Sequence, residues 1–332
     1  MTDPHRKNVA AAGDGGPALQ MAARAGRTGV LGVLVVLLAL AALAAGCDLA
    51  GPEGVETDSE VVVEAYLSAG EPLPAVRIGR TVPIEERWRP EAAGVSGAEV
   101  RIARLGPEGA PVEQYTYRPD PEERGRYLPE DSARVEPLST YRLRASVPGR
   151  EEEIEARTVV PDTFRLLSSN RDTIVYQSSD QLRIQLSPSR YPDRQSVFVF
   201  TTVSLDPRVE NLTPFAREFS DEDSAAVAES RVGSSPLLNE ETYTAGPGGN
   251  LTIRLPWLAI SFFGPNRLVA RAVDENLRDF LRSHQAQSGQ TTLAPGEIPS
   301  ILDRVANGRG VFGSFAEAQL EVFIRRPPRT ER

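Results

Sequence analysis

The chain has 332 residues, with 46 acidic and 37 basic side chains, a formal net charge of −9 and one cysteine. An acidic protein is not expected to bind nucleic acid, because phosphates attract basic surfaces. The two histidines and the absence of lysine beyond Lys7 argue against histidine-based zinc sites, Ser-His-Asp triads and lysine Schiff bases. We therefore predict no enzyme, no metal and no cofactor, although a hydrolase that uses paired carboxylates stays open.

The N-terminal segment carries an export signal. Arg24 and Arg27 precede an uncharged apolar stretch over residues 30–45, which Gly46 and Cys47 follow. A basic segment, an apolar core and small residues at a cleavage point are the parts of a secretory signal peptide. The ending Leu-Ala-Ala-Gly-Cys resembles the lipobox of bacterial lipoproteins, in which the cysteine is acylated and becomes the first residue. We predict a signal peptide over 1–46 and lipidation at Cys47.

Two other interpretations of this segment stay open. The uncharged run over 28–46 is long enough to cross a bilayer as an anchor helix, and cleavage followed by soluble export is the other. Residues 1–20 fit no signal layout, so we expect translation to start at Met21. Residues 47–59 are acidic and lack apolar periodicity, which predicts a flexible tether.

Short runs of alternating apolar and polar side chains fill residues 60–161. Turns that contain Pro and Gly separate them. Strands at this spacing over about a hundred residues are typical of an immunoglobulin-like β-sandwich. The sequence thus predicts an N-terminal sandwich domain, with strands over 61–67, 75–82, 98–105, 140–147 and 152–160.

A second β-rich domain is predicted over 162–326, followed by a tail at 327–332. One clear helix is expected after Asp274, which has the residue type of an N-cap. The fold class is therefore mainly β. The strands are expected over 163–167, 173–176, 181–186, 196–205, 250–257, 267–273 and 317–325.

The long polar stretch over 206–250 admits two interpretations. Few large apolar side chains are available to offset the entropy of ordering it, which predicts a mobile loop that a partner orders. The alternative is a fixed strap that packs along the body through Phe215, Phe219, Leu237 and Leu238.

Near the C-terminus, Gly308, Gly310 and Gly313 have the spacing G-x-G-x-x-G. A dinucleotide-binding loop needs a strand before these glycines and a helix after them. The residues before them are turn formers, and those after them alternate as a strand does. We therefore predict a turn or bulge before the last strand rather than a nucleotide site.

Trp88 marks the candidate binding loop. It stands between Arg87 and Arg89 in a segment that links two predicted strands. Aromatic and arginine side chains are enriched where proteins bind partners, and loops on rigid sandwiches carry many such sites. The alternative is that Trp88 only covers the end of the sandwich.

The order of these segments resembles one family. The lipobox, "VVVEAYLSAGEPLPAVRIGRTVPIEE", "RLVARAVDENLRDFLRSHQ" and "NGRGVFGSFA" are similar to the domain-of-unknown-function family 4249 of Bacteroidota-type lipoproteins. The resemblance implies an outer-membrane lipoprotein that faces the periplasm or the cell surface. It further implies a non-enzymatic accessory or binding role, with a TonB-dependent receptor as a candidate partner. A structural or adhesion module and, less favoured, a carboxylate-dependent glycan hydrolase are the alternatives.

Overall fold

The computed structural model describes residues 59–83, 86–87, 89–169, 172–219, 227–228, 230–243, 245–287, 302 and 304–328. Predictions that concern the signal peptide, Met21, Cys47 and the tether up to residue 58 lie outside these residues. Residues 58–332 group as one compact unit.

Seven strands precede residue 161, and five of them are the predicted ones with ends shifted by one or two residues. The two that the sequence analysis missed are β4, which exposes most of its side chains, and β5, whose side chains are mostly half-buried; they bury only Tyr115, Tyr117 and Tyr127. The strands are β1 (Val61–Ser68), β2 (Val76–Arg80), β3 (Glu99–Leu105), β4 (Pro111–Pro119), β5 (Arg126–Pro129), β6 (Thr140–Ser146) and β7 (Ile154–Val159).

The second half is also mainly strand, and helix α3 is the long helix that the sequence predicted. Its strands are β8 (Leu166–Ser169), β9 (Thr173–Val175), β10 (Arg183–Leu186), β11 (Val197–Ser204), β12 (Val232–Ser234), β13 (Leu238–Asn239), β14 (Leu251–Arg254), β15 (Gly264–Val273), β16 (Val305–Ala306) and β17 (Arg309–Arg325). The helices are α1 (Pro90–Ala93), α2 (Pro214–Phe219) and α3 (Glu275–Gln287), with short 3-10 turns at Val209–Asn211, Glu240–Thr242, Pro247–Gly249 and Trp257–Ala259. The predicted fold class, mainly β with one clear helix, is confirmed.

Most strands join one mixed sheet in the order β12-β11-β15-β17-β1-β2-β5-β4-β3-β6-β7-β16, while β14-β10-β8 form a small second sheet. Strand β17 links the two halves. Its first part pairs in parallel with β1, from Val62 opposite Arg309 to Ser68 opposite Phe315. Its second part pairs antiparallel with β15, from Val273 opposite Phe315 to Gly264 opposite Ile324. At about 3.3 Å per residue, a strand of 17 residues reaches about 55 Å.

Two large apolar clusters lie along this strand. The first contains side chains of 61–160 together with Val305 and Phe312, and the second begins at Phe164 and includes Ile324. The change of cluster falls at the predicted boundary, but both clusters use β17. The division into two domains, 60–161 and 162–326, stays a prediction.

Helix α3 packs its predicted apolar face against the sheet. The Asp274 side chain accepts a hydrogen bond from the backbone N–H of Leu277 at 2.8 Å, as an N-cap does. Leu277 is buried with Val197 and Val273, and Phe280 and Leu281 pack against them. A Cβ on Gly313 would lie 3.1 Å from the Leu277 Cβ, so the strand approaches the helix closely at this glycine.

The described parts of 206–250 contact the rest of the protein, as the fixed-strap interpretation expects, and the mobility of this stretch stays a prediction. Strands β12 and β13 both pair with β11. Leu212 and Ala216 are buried in a small cluster with Phe262. Leu238 packs against the second large cluster and Leu237 against the helix cluster, whereas Phe215 is 40% exposed. Nothing is described for the Phe219 side chain.

The glycine motif does not form a nucleotide loop. Gly308 lies in the turn before β17, whereas Gly310 and Gly313 lie inside β17, and the described residues up to 328 contain no helix after them. The last strand therefore begins at Arg309, eight residues earlier than predicted. Gly310 has φ of +105°, and a Cβ there would lie 2.1 Å from the carbonyl oxygen of Val63. The glycine thus allows the close approach of β17 to β1.

We predict that Gly310→Ala lowers the free energy of unfolding by about 3 kcal/mol or more, because it combines backbone strain with a steric clash. Gly109→Ala is the matched control: it also has positive φ, +78°, but nothing within 4 Å. Strain alone costs about 1–2 kcal/mol there. Urea denaturation of both variants checks this, and equal losses would contradict the role of the β1–β17 contact.

Candidate functional site

The candidate loop follows β2 and leads into α1. Arg87 and Arg89 are exposed, and Trp88 lies outside the described residues. Val82 and Pro90, on either side of the three residues, both line a cleft of about 530 Å³. The structure therefore brings the ends of the predicted binding segment to a concave surface.

Three parts of the chain form the cleft. Strands β1 and β2 supply one wall through Val62 and Ile78, segment 81–82 with Pro90 supplies a second, and the turn at 124–125 supplies the third. The lining thus mixes apolar side chains with charged ones, as ligand-binding clefts commonly do.

A crossing of three backbone segments closes the bottom of the cleft. The N–H of Ile78 donates to the Gly125 carbonyl at 2.7 Å, and the N–H of Val95 donates to the Ile78 carbonyl at 2.9 Å. A Cβ on Gly125 would lie 2.6 Å from both the Gly94 Cα and the Ile78 oxygen, and a Cβ on Gly94 would lie 2.4 Å from the Arg124 oxygen. Only glycine permits this crossing, which fixes where the segment after β2 returns to the body.

Arginine dominates the charge of the cleft. Arg77, Arg80 and Arg124 line it, against Glu64 as the one acidic lining residue. The local excess of positive charge is opposite in sign to the net charge of −9 of the whole chain. The arrangement favours a ligand that is anionic or presents carbonyl oxygens, because guanidinium groups donate several hydrogen bonds in one plane.

The three arginines differ in the ion pairs and hydrogen bonds that they already form within the protein. Arg77 forms an ion pair with Glu123, with a second contact between Nη2 and Oε2 at 3.4 Å. Arg124 donates through Nη1 to the Glu91 carbonyl at 3.4 Å. Arg80 is partly buried and makes no ion pair with any side chain that the structure describes. Arg80 is therefore the cation best placed to contact a ligand.

The predicted site residues Arg87 and Arg89 are not among the residues that line this cleft, and sequence reasoning missed those that are. Gly94 and Gly125 are separated by two strands, so no local pattern connects them. Arg124 and Gly125 stand in "PEERGRY", which by itself indicates only a polar turn. Within the described residues, no group of three or more His, Cys, Asp or Glu side chains is arranged to hold a metal ion. None of the helices in that part of the chain is long and apolar enough to cross a membrane.

Solved structures supply distant neighbours. Trypsin-activated alpha-2-macroglobulin from Escherichia coli is 11% identical, with 80% of this chain and 15% of that chain covered and a TM-score of 0.22. A tetra-tandem repeat in the extending region of a large adhesion protein is 13% identical, with 80% and 49% covered and a TM-score of 0.20. The three N-terminal domains of the bacteriophage RB49 outer capsid protein Hoc are 8% identical, with 81% and 71% covered and a TM-score of 0.23. Similarity at this level carries no functional argument.

No curated protein matches the chain. The family model described as "Domain of unknown function (DUF4249)" matches residues 51–321, which is most of the chain. This match confirms the resemblance seen in the sequence, and the chain belongs to the DUF4249 family.

Proposed function

We propose that this chain is an outer-membrane lipoprotein that binds a partner without catalysis, with the arginine-lined cleft as its contact surface. The observation that carries the proposal is the cleft itself, beside the segment that contains Arg87 and Arg89. The signal layout that ends at Cys47 supports the membrane anchor. More than one acyl chain on that cysteine makes attachment stable.

The length of the tether limits where the partner lies. About a dozen residues separate Cys47 from Ser59, the first described residue. At most about 3.3–3.6 Å per residue, they reach about 40 Å from the membrane surface. The lining of the cleft begins at Val62, just beyond that point. The cleft is thus on the part of the body tied most closely to the anchor, and this favours a partner that is itself in the membrane.

A TonB-dependent receptor is the proposed partner. The support is the family resemblance together with the anchor, because a receptor in the same membrane lies within reach of the cleft. A receptor loop that presents carboxylates or free carbonyls would satisfy Arg80 and Arg124. Contacts of arginine across an interface are frequent sources of binding energy.

We predict that Cys47→Ser blocks maturation. The precursor should accumulate, and metabolic labelling with a fatty acid should give no labelled product, because the acylated thiol is missing. Asp48→Ser, which changes the neighbouring residue and keeps the thiol, is the control and should be labelled normally. Normal processing and membrane partition of Cys47→Ser would contradict the lipid anchor.

We predict that the double variant Arg80→Glu with Arg124→Glu loses the receptor. The tagged protein is crosslinked in cells and purified, and its partners are quantified by mass spectrometry. Two desolvated charge reversals at one interface each cost about 1.4 kcal/mol or more, which together weaken the affinity for the receptor by about 100-fold or more.

The control for this experiment is Arg254→Glu with Arg325→Glu, which makes the same charge change at exposed positions in the other half. It should retain the receptor at the wild-type level. Equal capture by both double variants would contradict the cleft as the contact surface. If wild-type protein captures no receptor, cell aggregation and turnover of a glycan panel distinguish the adhesion and hydrolase alternatives.

A further inference from the structure

Three polar side chains are buried together where β7, β17 and α3 meet. They are Thr158, Asp274 and Ser314, with exposed fractions of 2%, 1% and 0%. Each comes from a different element, and Thr158 and Ser314 are separated by more than 150 positions in the sequence. We call these three residues the junction triad.

A chain of short contacts joins the junction triad to the backbone. Thr158 Oγ1 lies 2.5 Å from Asp274 Oδ2 and 2.7 Å from Ser314 Oγ. Ser314 Oγ donates to the Val159 carbonyl at 3.0 Å. The second carboxylate oxygen, Oδ1, accepts the N–H of Leu277 at 2.8 Å. Three oxygen–oxygen contacts therefore follow one another from Asp274 to Val159.

Hydrogen counting shows what these contacts require. Each contact needs one proton, and the two hydroxyls supply one proton each. If Asp274 is ionised, Thr158 donates to the carboxylate and Ser314 donates to Val159, so the 2.7 Å contact between the two hydroxyl oxygens has no proton. If Asp274 carries a proton, it donates to Thr158, Thr158 donates to Ser314, and Ser314 donates to Val159. Only the protonated acid satisfies the whole chain.

The surroundings of Asp274 allow it to take up that proton. No arginine forms an ion pair with it among the described residues. The titratable and charged groups near it are Tyr191 and Arg194 of the turn before β11 and, on its own helix, Glu275 and Arg278. Glu155, Arg157 and Arg304 line the same cleft.

The carboxyl group has opposing influences on its ionisation. Burial raises the pKa of Asp274 to about 6, against the hydrogen bonds from Thr158 and from backbone N–H groups, which act to lower it. The positive end of α3 also favours the ionised form. A proton can therefore enter and leave the junction triad within the pH range of an exported protein.

We propose that the folded junction of β7, β17 and α3 binds one proton at Asp274, and that this proton locks the junction. When the proton leaves, the Thr158–Ser314 contact has no hydrogen, and β7 and β17 are held less tightly. The remaining contacts, including the backbone bond from the Asp274 N–H to the Ser314 carbonyl at 2.9 Å and those of Asn276, which donates to the carbonyls of Arg157 and Phe312, then hold the junction.

The protonation state of Asp274 also affects the surface of the protein. A cleft of about 360 Å³ opens beside the junction triad, and Thr158, Asp274 and Asn276 line it. Loosening of β7 against β17 changes this cleft directly. The proton therefore couples external pH to the shape of a surface cleft and to the joint between the two halves.

The test compares the purified wild-type protein with Asp274→Asn over about pH 3 to 7.5. Asparagine keeps the N-cap through Oδ1, and its Nδ2 donates to Thr158 as the protonated acid does. The folded pKa, about 6, exceeds the unfolded value of 3.8. The stabilisation is complete below the unfolded pKa and is lost as the pH rises through the folded one. The unfolding equilibrium constant of the wild type, divided by that of Asp274→Asn, should rise about 100-fold from low to neutral pH.

Asp279→Asn on the same helix is the control, because the surroundings of Asp279 lower its pKa, whereas those of Asp274 raise its pKa. Partial burial acts to raise the pKa of Asp279, but hydrogen bonds and ion pairs from Arg278 and Arg304, both at 2.7 Å, lower it. Its loss should therefore destabilise the protein more at neutral pH than at low pH. If Asp274→Asn also destabilises the protein more at neutral pH than at low pH, as is expected of Asp279→Asn, the proposal is overturned.

A direct measurement on the wild type needs no variant. The carboxyl carbon of Asp274, followed by NMR, should titrate with a midpoint well above that of an ordinary aspartate. Amide exchange at 156–159 and 312–316, corrected for the intrinsic effect of pH, should be slower below the midpoint than above it. A midpoint at or below the ordinary aspartate value, or exchange that does not follow the titration, would overturn the proton lock.

Discussion

The pairing of the first strand with the last is the constraint on which the rest of the structure depends. Strand β17 covers β1 over its first residues and β15 over its last ones, and the change occurs at Phe315. Neither apolar cluster is complete without it, because Phe312 belongs to one and Ile324 to the other. The chain must therefore close a loop of about 250 residues before the first core is finished, and such non-local pairing makes folding slow.

The sequence predicts those parts of this fold that repeat a local pattern. Alternation gave the strands over 61–67 and 140–147, and a capping residue followed by an apolar face gave α3. It missed β4, since a strand with one weakly buried face shows only two tyrosines and two bounding prolines. It also began the last strand too late, because Gly310 and Gly313 remove side chains from the alternating pattern. What these glycines contact lies about 250 residues upstream for one and on α3 for the other, so no window of the sequence contains the reason for them.

The residues of the candidate cleft likewise fall into those that a local sequence pattern indicates and those that only the fold brings together. Arg87 and Arg89 stand out in the sequence because they flank an aromatic residue, and the cleft beside them combines β1, β2 and the turn at 124–125. Gly94 and Gly125 make that combination possible by letting backbones touch. Arg80 is the candidate for ligand contact because it lines the cleft and forms no ion pair among the described residues, which the sequence alone does not show. Composition indicates what kind of residue binds, whereas topology decides which of the arginines share a surface.

The junction triad also constrains how β17 pairs with its neighbours. The buried face of β17 by itself opposes a shift of one residue but not a shift of two, which keeps the same face inside. Either shift would move Ser314 away and leave Thr158 and Asp274 without their partner. Buried polar groups that lose a partner cost about 1–3 kcal/mol each. The junction triad therefore fixes the register in which β17 pairs with β1 and β15, by tying Ser314 to Thr158 of β7.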